Sequence, residues 1–169
     1  HARSATVTAS SEHSGAYSAK HVADGVVPKL FGRAEKSEWA AKGNNHKNGV
    51  TLTMTWPKPI SIAEVVYYGR CAFAIEGFKT CEVYLDGAKA PAVKAALQSG
   101  IGPQRIKLPK TATAKTLTIK FTSSFGVSNP GAAEIKVYSA SPSDKQLGKF
   151  KAMAPFKHGQ ALPVRSHVP

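Results

Sequence analysis

The chain has 169 residues and a mass of 17.9 kDa, with 42% hydrophobic and 20% charged residues, which suits one globular domain and excludes a two-domain enzyme. Lys+Arg 23 against Asp+Glu 10 gives a formal net charge of +13 and a pI near 9.9, so the surface attracts polyanions. No apolar run approaches the roughly 18 residues of a membrane span and no charged-then-apolar leader is read, so the expectation is a soluble molecule.

In chain order, a weak strand pattern at 5–10 comes first. The stretch 11–49 follows, with Gly, Asn, Lys, three His and one Trp, and reads as a structured loop region, since loops of this length are usually functional or disordered. In 50–56, Val50, Leu52, Met54 and Trp56 alternate with Thr51, Thr53 and Thr55, a strand with one buried face that Pro57 and Pro59 are expected to stop. A weaker strand lies at 63–69. In 80–85, Cys81, Val83 and Leu85 point inward, and the turn pair Asp86-Gly87 closes the strand. Ala88 to Gln98 has a helix-like composition interrupted by Pro91 and stays open between helix and loop. Strands return at 105–108, at 116–122 with Leu117, Ile119 and Phe121 inward, and at 134–138. About seven short antiparallel strands separated by Gly, Pro and Asn predict an all-β antiparallel sandwich over 1–138.

From Ser139 the alternation disappears, and 139–169 reads as a basic, Pro-containing tail or linker with five basic residues and one acid. Its anchors, were it to dock on a neighbouring subunit, would be Leu147, Phe150, Met153, Phe156 and Leu162. The two cysteines, Cys71 and Cys81, lie ten residues apart with no metal-ligand partner beside them. A disulfide closing a short hairpin is the preferred reading and implies an oxidising, exported location; two free buried thiols are the alternative.

The 18 Lys and 5 Arg are spread along the whole chain with no block of like charge, which argues against a nucleic-acid reader. No spaced carboxylate pair sits beside a nucleophile and a His, and no phosphate loop, nucleophile elbow or His-Glu-x-x-His motif is present, so the chain reads as a non-enzyme. An amino-terminal His1 could chelate copper through its amine and ring, as in lytic polysaccharide monooxygenases, but the strand pattern fits another family better.

That family is carried by the order of Ser4-Ala5-Thr6-Val7-Thr8-Ala9-Ser10-Ser11, Ala23-Asp24-Gly25, Trp39, Val65-Val66-Tyr67-Tyr68-Gly69-Arg70, Glu82-Val83-Tyr84-Leu85-Asp86-Gly87, Leu117-Thr118-Ile119-Lys120-Phe121 and Ala133-Glu134-Ile135-Lys136-Val137-Tyr138. The sequence resembles the discoidin, or coagulation factor V/VIII type C, superfamily, including the family 32 carbohydrate-binding modules. The resemblance implies a jelly-roll sandwich that binds a glycan through loops at one end, without catalysis; the expected location is secreted, periplasmic or at the cell surface. It implies a structural calcium ion on Asp24 and Glu134, a chemistry that suits hard carboxylate and carbonyl oxygens. The family loop is usually rich in Asp, Asn and Thr after Asp-Gly, whereas here Val26-Val27-Pro28-Lys29-Leu30-Phe31-Gly32-Arg33 follows, and Lys29 and Arg33 could supply the charge instead.

For the ligand, Arg70 matches a sugar-contacting family position. Phe125 is the expected stacking ring and Phe73 a second, with Asn129, His13, Glu12 and His46 as polar loop groups. Core packing accounts for Trp39 and Trp56. The expected partner is a glycan, with the diffuse Lys charge favouring an acidic one. Two rival readings are a structural or adhesion subunit whose tail 139–169 docks to a neighbour, and an acidic-lipid module using Val26, Val27, Leu30 and Phe31 as apolar spikes.

Overall fold

Two long strands organise the molecule, a computed structural model that describes residues 1–27, 38–43, 49–70, 76–126 and 129–152. Strand β1 is Thr6–Ala9, β2 Trp39–Ala40, β3 Val50–Gly69, β4 Phe78–Leu85, β5 Val93–Ala96, β6 Gly100–Ile101, β7 Gln104–Ser124, β8 Gly131–Tyr138 and β9 Lys151–Ala152. Helix α1 is a single turn, Asp144–Leu147, and the early segment folds into short 3₁₀ turns at Ala2–Ser4, Gly15–Tyr17 and Ala19–Ala23.

The first half of β3 does what its alternation demands: Val50, Leu52, Met54 and Trp56 are buried, and the threonines between them face outward. There it pairs with β1 (Val7 opposite Met54) and with the second half of β7 (Leu52 opposite Ile119). Pro57 and Pro59 do not end the strand. The ladder skips from Thr55 to Ile60, so the two prolines fall in a bulge where no N–H is needed, and the chain turns a corner there. Beyond it, Glu64 to Tyr67 pair with the first half of β7 on one side and with β8 on the other.

Both β3 and β7 therefore serve two sheets. One face contains β1, β3, β7, β4 and β5; the other contains β2, β8 and the remaining halves of β3 and β7. Inward side chains of the two faces meet in an aromatic layer: Phe78 stacks on Phe121 with centroids 4.0 Å apart, and Tyr67 and Trp39 each lie 5.8 Å from Phe121. Because Tyr67, near the end of β3, faces Phe121, near the end of β7, the far end of β3 and both ends of β7 gather at one end of the sandwich.

The Asp86-Gly87 turn forms as expected, with positive φ at both residues (48° and 69°) and Asp86 Oδ1 accepting from the Lys115 and Thr116 N–H groups at 2.9 and 2.8 Å. The open stretch Ala88–Gln98 contains a strand, β5, and no helix; its neighbour β4 supplies the backbone partners.

The expected Cys71–Cys81 disulfide is not formed. Cys81 is a free thiol, 1% exposed, aimed by strand alternation into the core between Ala95 and Phe121, and burial pushes it up to about 12; Cys71 lies outside the described residues.

After β8 the chain turns back. Ser143 starts α1 with a reciprocal capping box to Gln146, and β9 pairs antiparallel with β6. Arg105 of β7 donates to Glu64, to the Pro142 carbonyl at 2.9 Å and to Asp144 Oδ1 at 2.6 Å. Of the tail anchors expected from sequence, Phe150 packs on Gly100 and Leu147 is half-buried, while Met153, Phe156 and Leu162 lie outside the described residues.

The Glu64 carboxylate is 0% exposed; burial pushes its acid upward, but the hydrogen bonds and charge of Arg105 outweigh this and hold it below the usual carboxylate range. A depressed folded-state acid gives stability that is complete above the unfolded value, about pH 4.5, and is lost as pH falls below it. Thermal midpoints measured from pH 6 to pH 3 should fall less steeply in Glu64→Gln than in the parent chain, and Arg105→Gln should cost about 3 kcal/mol at pH 7 by leaving Glu64 buried without its cation.

Candidate functional site

Arg70 leaves the end of β3 and becomes the hub of the loop end. It is 6% exposed, its Nε lies 3.0 Å from Glu38 Oε2, and its Nη1 lies 3.0 Å from Glu76 Oε1 and 2.7 Å from the Asn129 carbonyl. The guanidinium also sits 5.2 Å from the centroid of the Tyr17 ring, a cation–π contact. One cation thus ties together four segments remote in sequence. Local backbone makes room for it: a Cβ at Gly131 would lie 1.9 Å from the Trp39 carbonyl oxygen and 2.8 Å from Arg70 Cδ, so only glycine allows β8 to begin there. The buried Tyr67 hydroxyl donates to the Gly131 carbonyl at 2.6 Å and accepts from the Phe78 N–H, pinning β8 and β4 beside the end of β3.

Around this hub the other sequence-derived candidates take different positions. Asn129, at φ 30°, uses its side-chain oxygen to accept the Gly43 N–H at 2.7 Å, so it holds two loops together. His13 is exposed and its ring meets Tyr17 edge-on at 5.7 Å, which brings it to the same end. Phe125 is 37% exposed; its N–H bonds the Gly77 carbonyl at 3.0 Å and its ring lies against Gly77, next to Glu76. Glu12 braces the neighbouring turn, accepting from Ala19 N–H at 2.7 Å and Ser18 Oγ at 3.2 Å. His46 and Phe73 lie outside the described residues. The arrangement offers an exposed ring, an exposed imidazole and carboxylate, and a rigid charged floor, the parts needed to grip a polar ring with an apolar face.

Sequence reasoning did not assign Tyr17 or Glu38 to this end. Tyr17 carries no periodic signal in its turn, and Glu38 would have needed an explanation only as an acid directly before a core Trp. Glu76, six residues after Arg70, joins it there as an ion-pair partner.

A second cluster lies on β8. Glu134, 1% exposed, accepts the Gly25 N–H at 3.0 Å, and Asp24 accepts the Val26 N–H at 2.8 Å with its other oxygen 3.6 Å from His21 Nδ1. Burial, and then the Asp24 charge, push Glu134 up to about 7. Gly25 has φ 88° and the Arg3 guanidinium packs on its Cα, so the chain brings its own cation to this corner. A cavity of about 370 Å³ opens beside it, lined by Arg3, Ser4, Glu134, Lys136 and Tyr138 among others. Among the described residues no group of three or more His, Cys, Asp or Glu is arranged to hold a metal ion, although His21 stands beside Asp24. Asp24 and Glu134 bring hard oxygen donors of the kind calcium takes, though two carboxylates are fewer than its roughly six to eight ligands. Lys29, Leu30, Phe31 and Arg33 lie outside the described residues, and Val26 is exposed.

Because Arg70 neutralises charge inside the fold, its removal is a stability experiment before it is a binding experiment. Arg70→Met should destabilise the chain by about 3 kcal/mol in urea unfolding, since it strips Glu38 and Glu76 of their buried cation.

Comparison with solved structures shows what this fold is. It superposes on module CBM32-5 of CpGH89 from Clostridium perfringens, in complex with GalNAc-β-1,3-galactose, with TM-score 0.64 and 18% identity over 81% of this chain and 96% of that one. The family 32 module of Clostridium perfringens NanJ, in complex with galactose, gives TM-score 0.64 and 16% identity over 80% and 94%. Chitosan-binding module 1 from the chitosanase/glucanase of Paenibacillus sp. IK-5 gives 0.58 and 16% over 80% and 95%. The architecture is the discoidin-like sandwich of family 32 carbohydrate-binding modules, as the sequence resemblance implied. No curated protein matches by sequence. No helix among the described residues is long and apolar enough to cross a membrane. Residues 1–138 match the family model described as Domain of unknown function (DUF7402), and the chain belongs to that family.

Proposed function

We propose that this chain is a non-catalytic carbohydrate-binding module that recognises an extracellular glycan at the loop end of the sandwich. The observation that carries this reading is the convergence of Phe125, His13, Asn129 and the buried Arg70 hub at one end of a fold whose solved relatives include modules with bound sugars. In this reading Phe125 stacks on the apolar C–H face of a pyranose, and His13, Glu12 and Asn129 bond its hydroxyls. Arg70 holds the floor beneath them. The net charge of +13 adds a salt-dependent preference for acidic glycans, an attraction that weakens as ionic strength rises.

A glycan array spanning galactose- and GalNAc-terminated, amino-sugar, uronate and sulfated ligands tests the proposal. Phe125→Ala should bind its best ligand about tenfold more weakly, the worth of about 1.4 kcal/mol of aromatic contact, with its unfolding midpoint unchanged. Binding undiminished by that substitution would remove Phe125 from the site, and silence across the array would remove the function.

We further propose that Asp24 and Glu134 hold a structural calcium ion. It would supply positive charge beside Glu134, whose acid burial and the Asp24 charge otherwise raise. Millimolar calcium should then raise the melting temperature by several degrees and EDTA should reverse it; a midpoint indifferent to both rejects the ion.

A further inference from the structure

The family match stops at residue 138, yet the chain is not finished with the sandwich there. We infer that residues 139–152 are a strap integral to the module, which covers the β6 edge and returns the chain to the loop end. This inference does not depend on what the loop end binds.

The strap is received by groups built into the sandwich. Glu64 is buried and orients the Arg105 guanidinium, whose Nη1 then reaches Asp144 and whose Nη2 reaches the Pro142 carbonyl. A planar guanidinium fixed from one side reads carbonyl and carboxylate oxygens on the other with little further ordering. Ser143 caps α1, and Gly148, at φ 82°, ends that turn and redirects the backbone. Lys151 and Ala152 then pair with Ile101 and Gly100.

Two glycines make the trough in which the strap lies. A Cβ on Gly100 would stand 2.4 Å from the Lys151 carbonyl oxygen and 2.5 Å from Phe150 Cζ, and one on Gly102, at φ 109°, would stand 2.6 Å from the Lys149 carbonyl oxygen. No other residue fits either place without displacing the strap. Its presence also matters to β6, because an uncovered strand edge offers unpaired backbone groups to other chains.

The path has a direction. β8 ends with Tyr138 opposite Glu64, whereas β7 begins with Gln104 opposite Tyr67, nearer the Arg70 end. Gly100 and Ile101 lie beyond Gln104, whose side chain bonds the Gln98 backbone in both directions, and the Leu97 N–H bonds the Lys79 carbonyl, two residues from Gly77 and the Phe125 ring. The strap therefore carries the chain from the far end of β8 back towards the loop cluster.

Hydrogen exchange, melting and paramagnetic broadening on the full chain test this. Amides of 149–152 should exchange at least tenfold more slowly than unstructured peptide, and a chain ended after Tyr138 should melt about 5 °C lower. Gly100→Val should erase protection in 149–152 while leaving β3 and β7 protected. A nitroxide at Ala152→Cys, in a Cys71→Ser background, should broaden resonances of Lys79 and Leu97–Gly102 and spare those of the Thr55–Ile60 corner. Unprotected amides at 149–152 in the intact chain, melting temperatures of the two lengths within about 1 °C, or broadening at the corner instead would each overturn the inference.

Discussion

The pairing of β3 with β7 is the constraint on which the other features rest. Both strands run through a corner, so each contributes to two sheets, and their ladder, which skips at Thr55/Ile60 and again at Ile62/Glu64, joins the two faces without a separate connection. The corner requires a segment that forgoes ladder hydrogen bonds, and Trp56 to Pro59 supplies it: the prolines have no N–H to lose, while Trp56 stays in the core and bonds the His1 carbonyl through its indole. Folding both strands back in this way brings Tyr67, Phe78 and Phe121 into one aromatic layer. It also leaves Arg70, Glu76 and the loop after β7 at the same end.

Charge inside this fold is handled by pairing. Glu38 and Glu76 face Arg70, and Glu64 faces Arg105, so each of these buried acids has a guanidinium fork beside it. A buried carboxylate is tolerated only on such terms, because desolvation otherwise favours its neutral form. Glu134 has no comparable partner within ion-pair distance among the described residues, and its acid is raised accordingly. The contrast separates two kinds of site: a closed hub that gives the loop end its rigidity, and an open corner where added positive charge would be stabilising. Among the described residues no lysine is buried, and of them Lys136 borders the open corner.

How much was legible beforehand differs from element to element. The alternating Thr runs gave the strand faces correctly, and the quoted strand landmarks pointed to the discoidin-like sandwich that the solved neighbours show. Pro57 and Pro59 misled, since a local rule against proline in strands does not know that the partner strand will skip those positions. The cysteine spacing misled in the same way. Ten residues suit a hairpin bridge, but the face on which Cys81 sits had already committed it to the core. Arg70 was picked out by resemblance and Phe125 and Asn129 by their loop stretch without alternation, whereas Tyr17 and Glu38 became members of the same end only through contacts across the fold.

Features controlled by neighbouring residues were thus settled by the sequence alone: which side chains face inward in 50–56, 80–85 and 116–122, and where Asp86-Gly87 reverses the chain. Period-two alternation and left-handed φ preferences are local properties. The tertiary structure decided that Arg70 is buried between two glutamates, that Cys81 is a free, buried thiol, and that residues 139–152 fold back onto β6. Those outcomes depend on Coulombic attraction, desolvation and steric room between groups far apart along the chain, and distance through space is set only when the corner in β3 and β7 has closed the sandwich.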